Sequence, residues 1–263
     1  MVSIIMATYN CASTVREAID SIIEQDYSNW EFVICDDCSN DGTYDILKEY
    51  QNKLPNKFVI LRNKTNSKLP YSLNRCLASA RGKYIARLDG DDLSVSSRLM
   101  EQYLFLEANP NIAVVGTNMA QFDEKGIFGE IKMKEIPTQN ELLTTTPFCH
   151  ATIMMRKSVY DQIGGYTELK RTIRGQDIDL WFKFFYHGYE GRNIPKPLYL
   201  VREDRAAIKR RKLKYRMYET ITRIKGFKML RFPFYKYIYA LIPVASYFIP
   251  TTLKRKMRNL KKH

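Results

Sequence analysis

Short apolar runs alternate with segments of helical period through the first half of the chain. VSIIMA, EFVIC, FVIL and KYIARL have the length and composition of buried strands. Between Thr14 and Gln25, the residues Val15, Ala18, Ile19, Ile22 and Ile23 fall at i, i+3, i+4, i+7 and i+8, the stripe of an amphipathic helix. Thr14 and Glu17 at its start have the form of a capping box. A second helix is expected from Tyr44 to Asn52. In a third, Leu73, Cys76, Leu77 and Ala80 make one face, and Gly82 is placed to end it in a left-handed cap. Strands alternating with helices predict βαβ units and a mainly parallel sheet.

The second half is less regular. A helix near Arg98 to Asn109 precedes IAVVGT and the strand-like segments GIFGEIKMK and FCHATIMMRK, whose order in a sheet the pattern does not give. A helix from Gln176 to His187 leads to KPLYLV. Beyond Arg205 everything has the pattern of basic helix, interrupted by Pro233, Pro243 and Pro250. The first residues, MVSIIMATYN, lack a basic leader and are expected as a strand rather than a signal peptide.

Charge divides the chain. Of the net +14 over 263 residues, positions 205–263 contribute +17, from eighteen Lys and Arg against the single acid Glu219, so residues 1–204 carry −3. The two parts must face different partners. Five cysteines, an odd number in mostly apolar surroundings, suit reduced thiols better than a disulfide framework. The Cys35–Cys38 spacing has no second pair and is a weak metal signal.

In open parallel sheets, ligands bind outside the carboxyl ends of the strands. Three apolar runs end in polar clusters: Ala7 to Asn10, Asp36-Asp37 with Asp41, and Asp89-Gly90-Asp91-Asp92. Asp89 and Asp91 can turn toward one hard cation, and Mg²⁺ or Mn²⁺ prefers a few carboxylates completed by phosphate oxygens of a substrate. A metal bound together with a diphosphate would offset the charge crowded at that strand end. Asp92 alone is expected to cap the following helix. Asp37 could accept a hydrogen bond from a nucleobase or ribose, with Asp36 beside it a secondary candidate; Ser39 and Asp41 are expected to be structural.

VSIIMATYN, DDCSNDGTYDIL, LNRCLASARGKYIARLDGDD, FCHATIMMRKSVYDQIGGY and RGQDIDLWFK, in this order, resemble the inverting GT-A glycosyltransferases of family 2. The resemblance runs from Val2 to about Val201. It implies an α/β fold of GT-A type, a Rossmann-like mainly parallel sheet flanked by helices. A nucleotide-binding half at about 1–117 and an acceptor-side half at about 118–204 would make the catalytic domain, with a basic helical C-terminal extension at 205–263. It further implies a nucleotide-diphosphate sugar donor, a UDP-sugar above others, a divalent cation, and displacement at the anomeric carbon with inversion. By similarity Asp37 contacts the base, Asp89 the ribose and Asp91 the metal, and Ala7 to Tyr9 line the base pocket; Tyr9 as ordinary packing stays open.

The family's general base is the second acid of a Glu-Asp pair, which falls here on Gln176-Asp177, so Asp177 is retained and its partner is not. Helix capping by Asp177, and Asp179 as a rival acid, remain alternatives. His150 matches a position near the acceptor but a core histidine fits equally. The family's frequent histidine after the last core strand is not seen in LYLVREDR, where Arg202, Glu203 and Asp204 stand, and Arg202 is a candidate for the diphosphate.

The basic extension mixes cations with aromatic and aliphatic residues between prolines, the composition of segments lying in a membrane interface. Residues 238–250 are too short to cross a bilayer, which takes about twenty apolar residues. Peripheral attachment to an anionic membrane surface at its cytoplasmic face is expected, with a lipid-linked or oligosaccharide acceptor; a helical cap packed on the domain is the alternative, and nucleic acid is not expected as a partner. Two rival functions are a non-catalytic membrane-docked nucleotide-sugar-binding subunit and a nucleotidyltransferase. The latter lacks support because MATYNCAST has no glycine.

Overall fold

The computed structural model describes residues 1–203 and 212–248. The basic stretches at 205–211 and 253–262, and Pro250, lie outside the described residues. The first half forms β1 (Val2–Thr8), α1 (Val15–Ile23), β2 (Trp30–Asp36), α2 (Thr43–Lys53), β3 (Phe58–Arg62), α3 (Leu69–Ser79) and β4 (Tyr84–Arg87). Then follow β5 (Leu93–Ser94), α4 (Arg98–Ala108), β6 (Ile112–Asp123), β7 (Gly126–Ile131), β8 (Met154–Arg156) and α5 (Lys157–Ile163). The last elements are α6 (Gln176–Tyr186), β9 (Glu190–Arg202), α7 (Leu213–Met229), a 3-10 helix (Phe234–Leu241) and α8 (Ile242–Phe248).

The sheet runs β3-β2-β1-β4-β8-β6-β9-β5, with β7 on β6. Pairs within β3-β2-β1-β4 are parallel as expected. Beyond β4 the sheet is mixed, because β8 enters antiparallel between β4 and β6. Its central strands β1, β2 and β4 are buried on both faces. Ile4, Phe32, Ile34 and Tyr84 pack with Val15, Leu47 and Leu99 of α1, α2 and α4. Ile5, Val33 and Ile85 pack on the other side with Leu73 of α3 and Trp181 and Phe182 of α6.

Three local expectations are corrected. Thr14 makes no side-chain cap; its hydroxyl donates to the Gly90 carbonyl at 2.8 Å, and Glu17 pairs with Arg202 instead of closing a box. Gly82 is not a left-handed cap: α3 ends at Ser79, and a Cβ at Gly82 would lie 2.6 Å from the Ser3 amide nitrogen. Close approach to β1 is what demands glycine there. Asp92 caps no helix, since α4 begins at Arg98 after Ser97.

The first part of the C-terminal extension is built into the domain. Phe227, Phe232 and Ala240 belong to the same apolar core as Trp181 and Phe182. Gly226 of α7 lies against Phe182, where an added Cβ would meet the ring at 2.2 Å. Gly226→Val is therefore expected to overpack the α6–α7 contact, costing about 1–3 kcal/mol. A calorimetric melt identical to wild type would show that this contact does not hold α7 in solution. Among the described residues, no helix is long and apolar enough to cross a membrane.

Candidate active site

Register brings the polar strand ends together. Thr8 lies opposite Asp36 and Ile5 opposite Arg87, so Ala7–Tyr9, Asp36–Asp37 and Asp89–Asp91 share one edge of the sheet, where open parallel sheets take ligands. The Tyr9 ring is half-exposed there. Among the described residues only four non-glycine residues have left-handed backbone, and Asn10, Cys38 and Lys68 are three of them. All three sit in loops that leave or face these strand ends, where strained backbone commonly accompanies function.

The two acids after β2 do different work. Asp36 is fully buried and accepts from the Ser39 amide at 3.1 Å, with Arg62 Nε 3.4 Å away, so it fastens its own loop. Asp37 accepts from Asn63 Nδ2 at 2.7 Å and from the amides of Ser67 and Lys68 at 2.7 and 2.9 Å. A carboxylate has about four acceptor positions, so three bonds leave one on Oδ2. The clamp thus orients the buried Asp37 and leaves one acceptor position on Oδ2 unused. Ser39 and Asp41 are structural as expected, Asp41 accepting from the Ala12 and Thr43 amides at 3.0 Å each.

The turn after β4 is braced from β9. The Tyr199 hydroxyl accepts from the Asp89 amide at 3.1 Å and donates to Asp92 at 2.9 Å, while the Arg202 amide donates to Asp92 at 2.8 Å. Burial, then the charges of Asp89 and Asp91, push the Asp92 carboxyl up to about 8. Arg202 Nε donates to the Asp91 carbonyl at 3.0 Å, and its guanidinium pairs with Glu17 and lies 4.5 Å from the Phe122 ring centre. Arg202 therefore reaches the expected loop through its backbone. Asp91 itself is exposed.

Arg87, which the sequence pattern did not single out, lies at the centre. Two residues before Asp89 on an extended chain, it shares that residue's side of the sheet. Its guanidinium is buried, pairs with the Asp89 carboxylate and contacts His150 Nδ1. His150 arrives there because β8 is antiparallel to β4: Ala86 lies opposite Met154, and the chain preceding Met154 runs alongside the end of β4. His150 Nε2 bonds the Tyr166 hydroxyl at 2.8 Å, and that hydroxyl lies 3.2 Å from the Tyr160 hydroxyl. Burial, reinforced by Arg87, drives the His150 pKa well below its ordinary value. A neutral imidazole accepting from Arg87 on Nδ1 carries its proton on Nε2. The core role considered for His150 is the one its surroundings support.

Asp177 occupies the first turn of α6. Burial raises its carboxyl above the ordinary range, opposed by helix-start amides and by the positive charge of Arg87, and assisted by Glu219 of α7. Its rival Asp179 is engaged elsewhere, accepting from Thr167 and Arg171 at 2.5 Å each. Gln176 is buried, and its Oε1 has no hydrogen-bond partner. The buried cation Arg87 thus pairs with the β4 acid Asp89, and its charge opposes the rise in the Asp177 carboxyl.

Among the described residues, no group of three or more His, Cys, Asp or Glu could hold a metal by itself. The donor set nonetheless fits a hard divalent cation of the Mg²⁺ or Mn²⁺ kind. Asp91 is exposed, the charges of Asp89 and Asp91 make Asp92 harder to ionise, and such ions take one or two carboxylates and complete their shell with phosphate oxygens.

The description "Glycosyl transferase family 2" matches residues 3–164. The "Putative glycosyltransferase EpsE" of Bacillus subtilis is 44% identical over 265 residues, covering 99% of this chain and 95% of that protein. Two solved structures share the fold. Staphylococcus aureus TarS 1–349 in complex with UDP-GlcNAc superposes with a TM-score of 0.69 at 18% identity, over 93% of this chain and 70% of that one. The mannosyltransferase PcManGT of Pyrobaculum calidifontis, in complex with GDP-Man and Mn²⁺, gives 0.63 at 19% identity, over 100% and 80%. The expected GT-A architecture holds, and with a family match over most of its length this chain belongs to glycosyl transferase family 2 and is a glycosyltransferase.

Proposed function

We propose that the protein moves a sugar from a nucleoside diphosphate sugar, a UDP-sugar above others, to a hydroxyl of a lipid-linked or oligosaccharide acceptor, with inversion, during assembly of a cell-surface polysaccharide. The observation that carries this reading is the gathering of Ala7–Tyr9, Asp37 and Asp89–Asp91 at one carboxyl edge of the sheet, with Asp89 paired to the buried Arg87. Asp177, in the first turn of α6, is the acceptor-side acid of this reading. Asp37, with its remaining acceptor position, and the half-exposed Tyr9 beside Ala7 hold the base; Asp89 holds the ribose. Asp91 would hold the cation. When bound, Mg²⁺ or Mn²⁺ supplies charge stabilisation to the departing diphosphate.

Asp177 takes the proton from the acceptor hydroxyl as its oxygen bonds the anomeric carbon, and the bond from that carbon to the diphosphate oxygen breaks on the opposite side. The raised pKa of Asp177 favours the role, because a base with greater proton affinity accepts the proton more readily at working pH. TarS crystallised with UDP-GlcNAc supports the uridine preference, and PcManGT with GDP-Man and Mn²⁺ supports the metal. The acceptor assignment draws on the basic extension, whose charge supports a peripheral position at the cytoplasmic face of the cell membrane.

Calorimetric titration with UDP tests the donor half. Affinity should be at least about tenfold higher with Mn²⁺ than with chelator, and Asp91→Asn should erase that difference, in keeping with the energy typical of a charged contact. Equal affinity with and without metal would remove the cation from the reading. Tighter binding of GDP than UDP would overturn the uridine preference.

A further inference from the structure

Exposed apolar side chains are unevenly distributed. Among the described residues, twelve of the 22 exposed large hydrophobic residues belong to positions 212–248, against ten in the 203 residues at the start of the chain. The 3-10 helix after Pro233 concentrates them, because side chains three apart eclipse on such a helix. Tyr235, Ile238 and Leu241 form one exposed ridge, 72%, 65% and 49% accessible. Tyr237 and Ala240, also three apart, face inward and pack into the core beside Phe227. The element is therefore mounted on the domain by one side and apolar on the other. Phe234 before the ridge and Phe248 at the end of α8 are 88% and 70% exposed.

Cations accompany this face. Positions 212–248 hold eight Lys and Arg and one acid. Lys225, Lys228 and Arg231 are exposed on the turns leading into the ridge, and Lys236 lies within it, its amine 5.1 Å from the Phe232 ring centre. A soluble monomer seldom leaves this much apolar surface in water, and a surface both apolar and cationic matches the junction of acyl chains with anionic headgroups.

We infer that the aromatic face of residues 234–248, with Lys225, Lys228, Arg231 and Lys236, is the surface by which the protein docks on an anionic phospholipid bilayer. This rests on the proposed peripheral location and gives it a place on the molecule. A second copy is disfavoured as occupant, since each face would carry like charge toward the other. Nucleic acid would engage the cations but leave Phe234, Ile238 and Phe248 in water. α7 joins this face to α6, the helix that begins with Gln176 and Asp177, so docking would keep the acceptor-side half of the enzyme near the bilayer.

Flotation of the full chain with phosphatidylcholine vesicles, with and without 30% phosphatidylglycerol, tests it. Wild type should float with the anionic vesicles only, and less so at high salt. The triple variant Phe234→Ser, Ile238→Ser, Phe248→Ser should lose at least about tenfold in partition, since each exchanged side chain forfeits part of its transfer into the interface. Its melting temperature and UDP affinity should stay at wild-type values. Unchanged flotation of the triple variant would overturn the inference, as would failure of wild type to float or a dimer-to-monomer change caused by the same substitutions. UDP titration of the same samples judges the donor-site reading separately.

Discussion

Asp177→Asn should lower sugar transfer by about a hundred- to ten-thousand-fold, the range associated with a general base, while UDP affinity stays within about twofold. UDP release in the presence of a lipid-linked saccharide pool reports the transfer, and calorimetry reports the binding. The base acts deprotonated, so wild-type activity should rise with pH through the Asp177 pKa, which burial sets above the ordinary carboxylate range; the asparagine variant should lack that limb. Stability separates this from misfolding. A carboxyl with a raised folded pKa favours folding below its unfolded pKa, and that contribution is lost as pH rises through the folded value. Asparagine stays neutral, so the variant should melt at or above wild type at pH 8. Transfer at wild-type rate by the variant would exclude Asp177 as the base.

Arg87→Met should be the most destabilising substitution in the site. Methionine fills much of the space but removes the cation, leaving the Asp89 carboxylate and His150 Nδ1 without the guanidinium they both contact. Breaking a buried pair by removing one partner costs about 3–5 kcal/mol. For a chain of this size that corresponds to a melting temperature lower by roughly 6–20 °C. UDP affinity should fall as well, because Asp89 loses the group that orients it. Asp89→Asn in the Arg87→Met background should then cost less than Asp89→Asn alone, the mark of a coupled pair. Additive losses, or a melt within about 2 °C of wild type, would show that Arg87 does not organise the site.

Several parts of this arrangement could be read along the chain. The strand–helix alternation, the stripe of Val15, Ala18, Ile19 and Ile22, and the acids closing β2 and β4 all lie where the pattern puts them. Others could not. Arg87 was not singled out, although it is a charge inside the apolar run YIARL two residues before Asp89, and a period of two could have pointed to it. Tyr199 carried no comparable signal, since a tyrosine in LYLV is ordinary strand composition. Thr14 with Glu17, and Asp92 before a helix, had the right chemistry for capping but found better partners across the fold.

The sequence by itself determined the elements, the sheet's parallel half and the positions of the acids, because periodicity and strand-end chemistry depend on neighbours a few residues apart. Tertiary structure alone decided what each acid does. Asp92 is bound by Tyr199 and Arg202, 107 and 110 positions onward, and Arg87 meets a histidine 63 residues away. A carboxylate's charge state and orientation follow from burial and from the donors around it, and those come from strands whose order in the sheet no local pattern encodes.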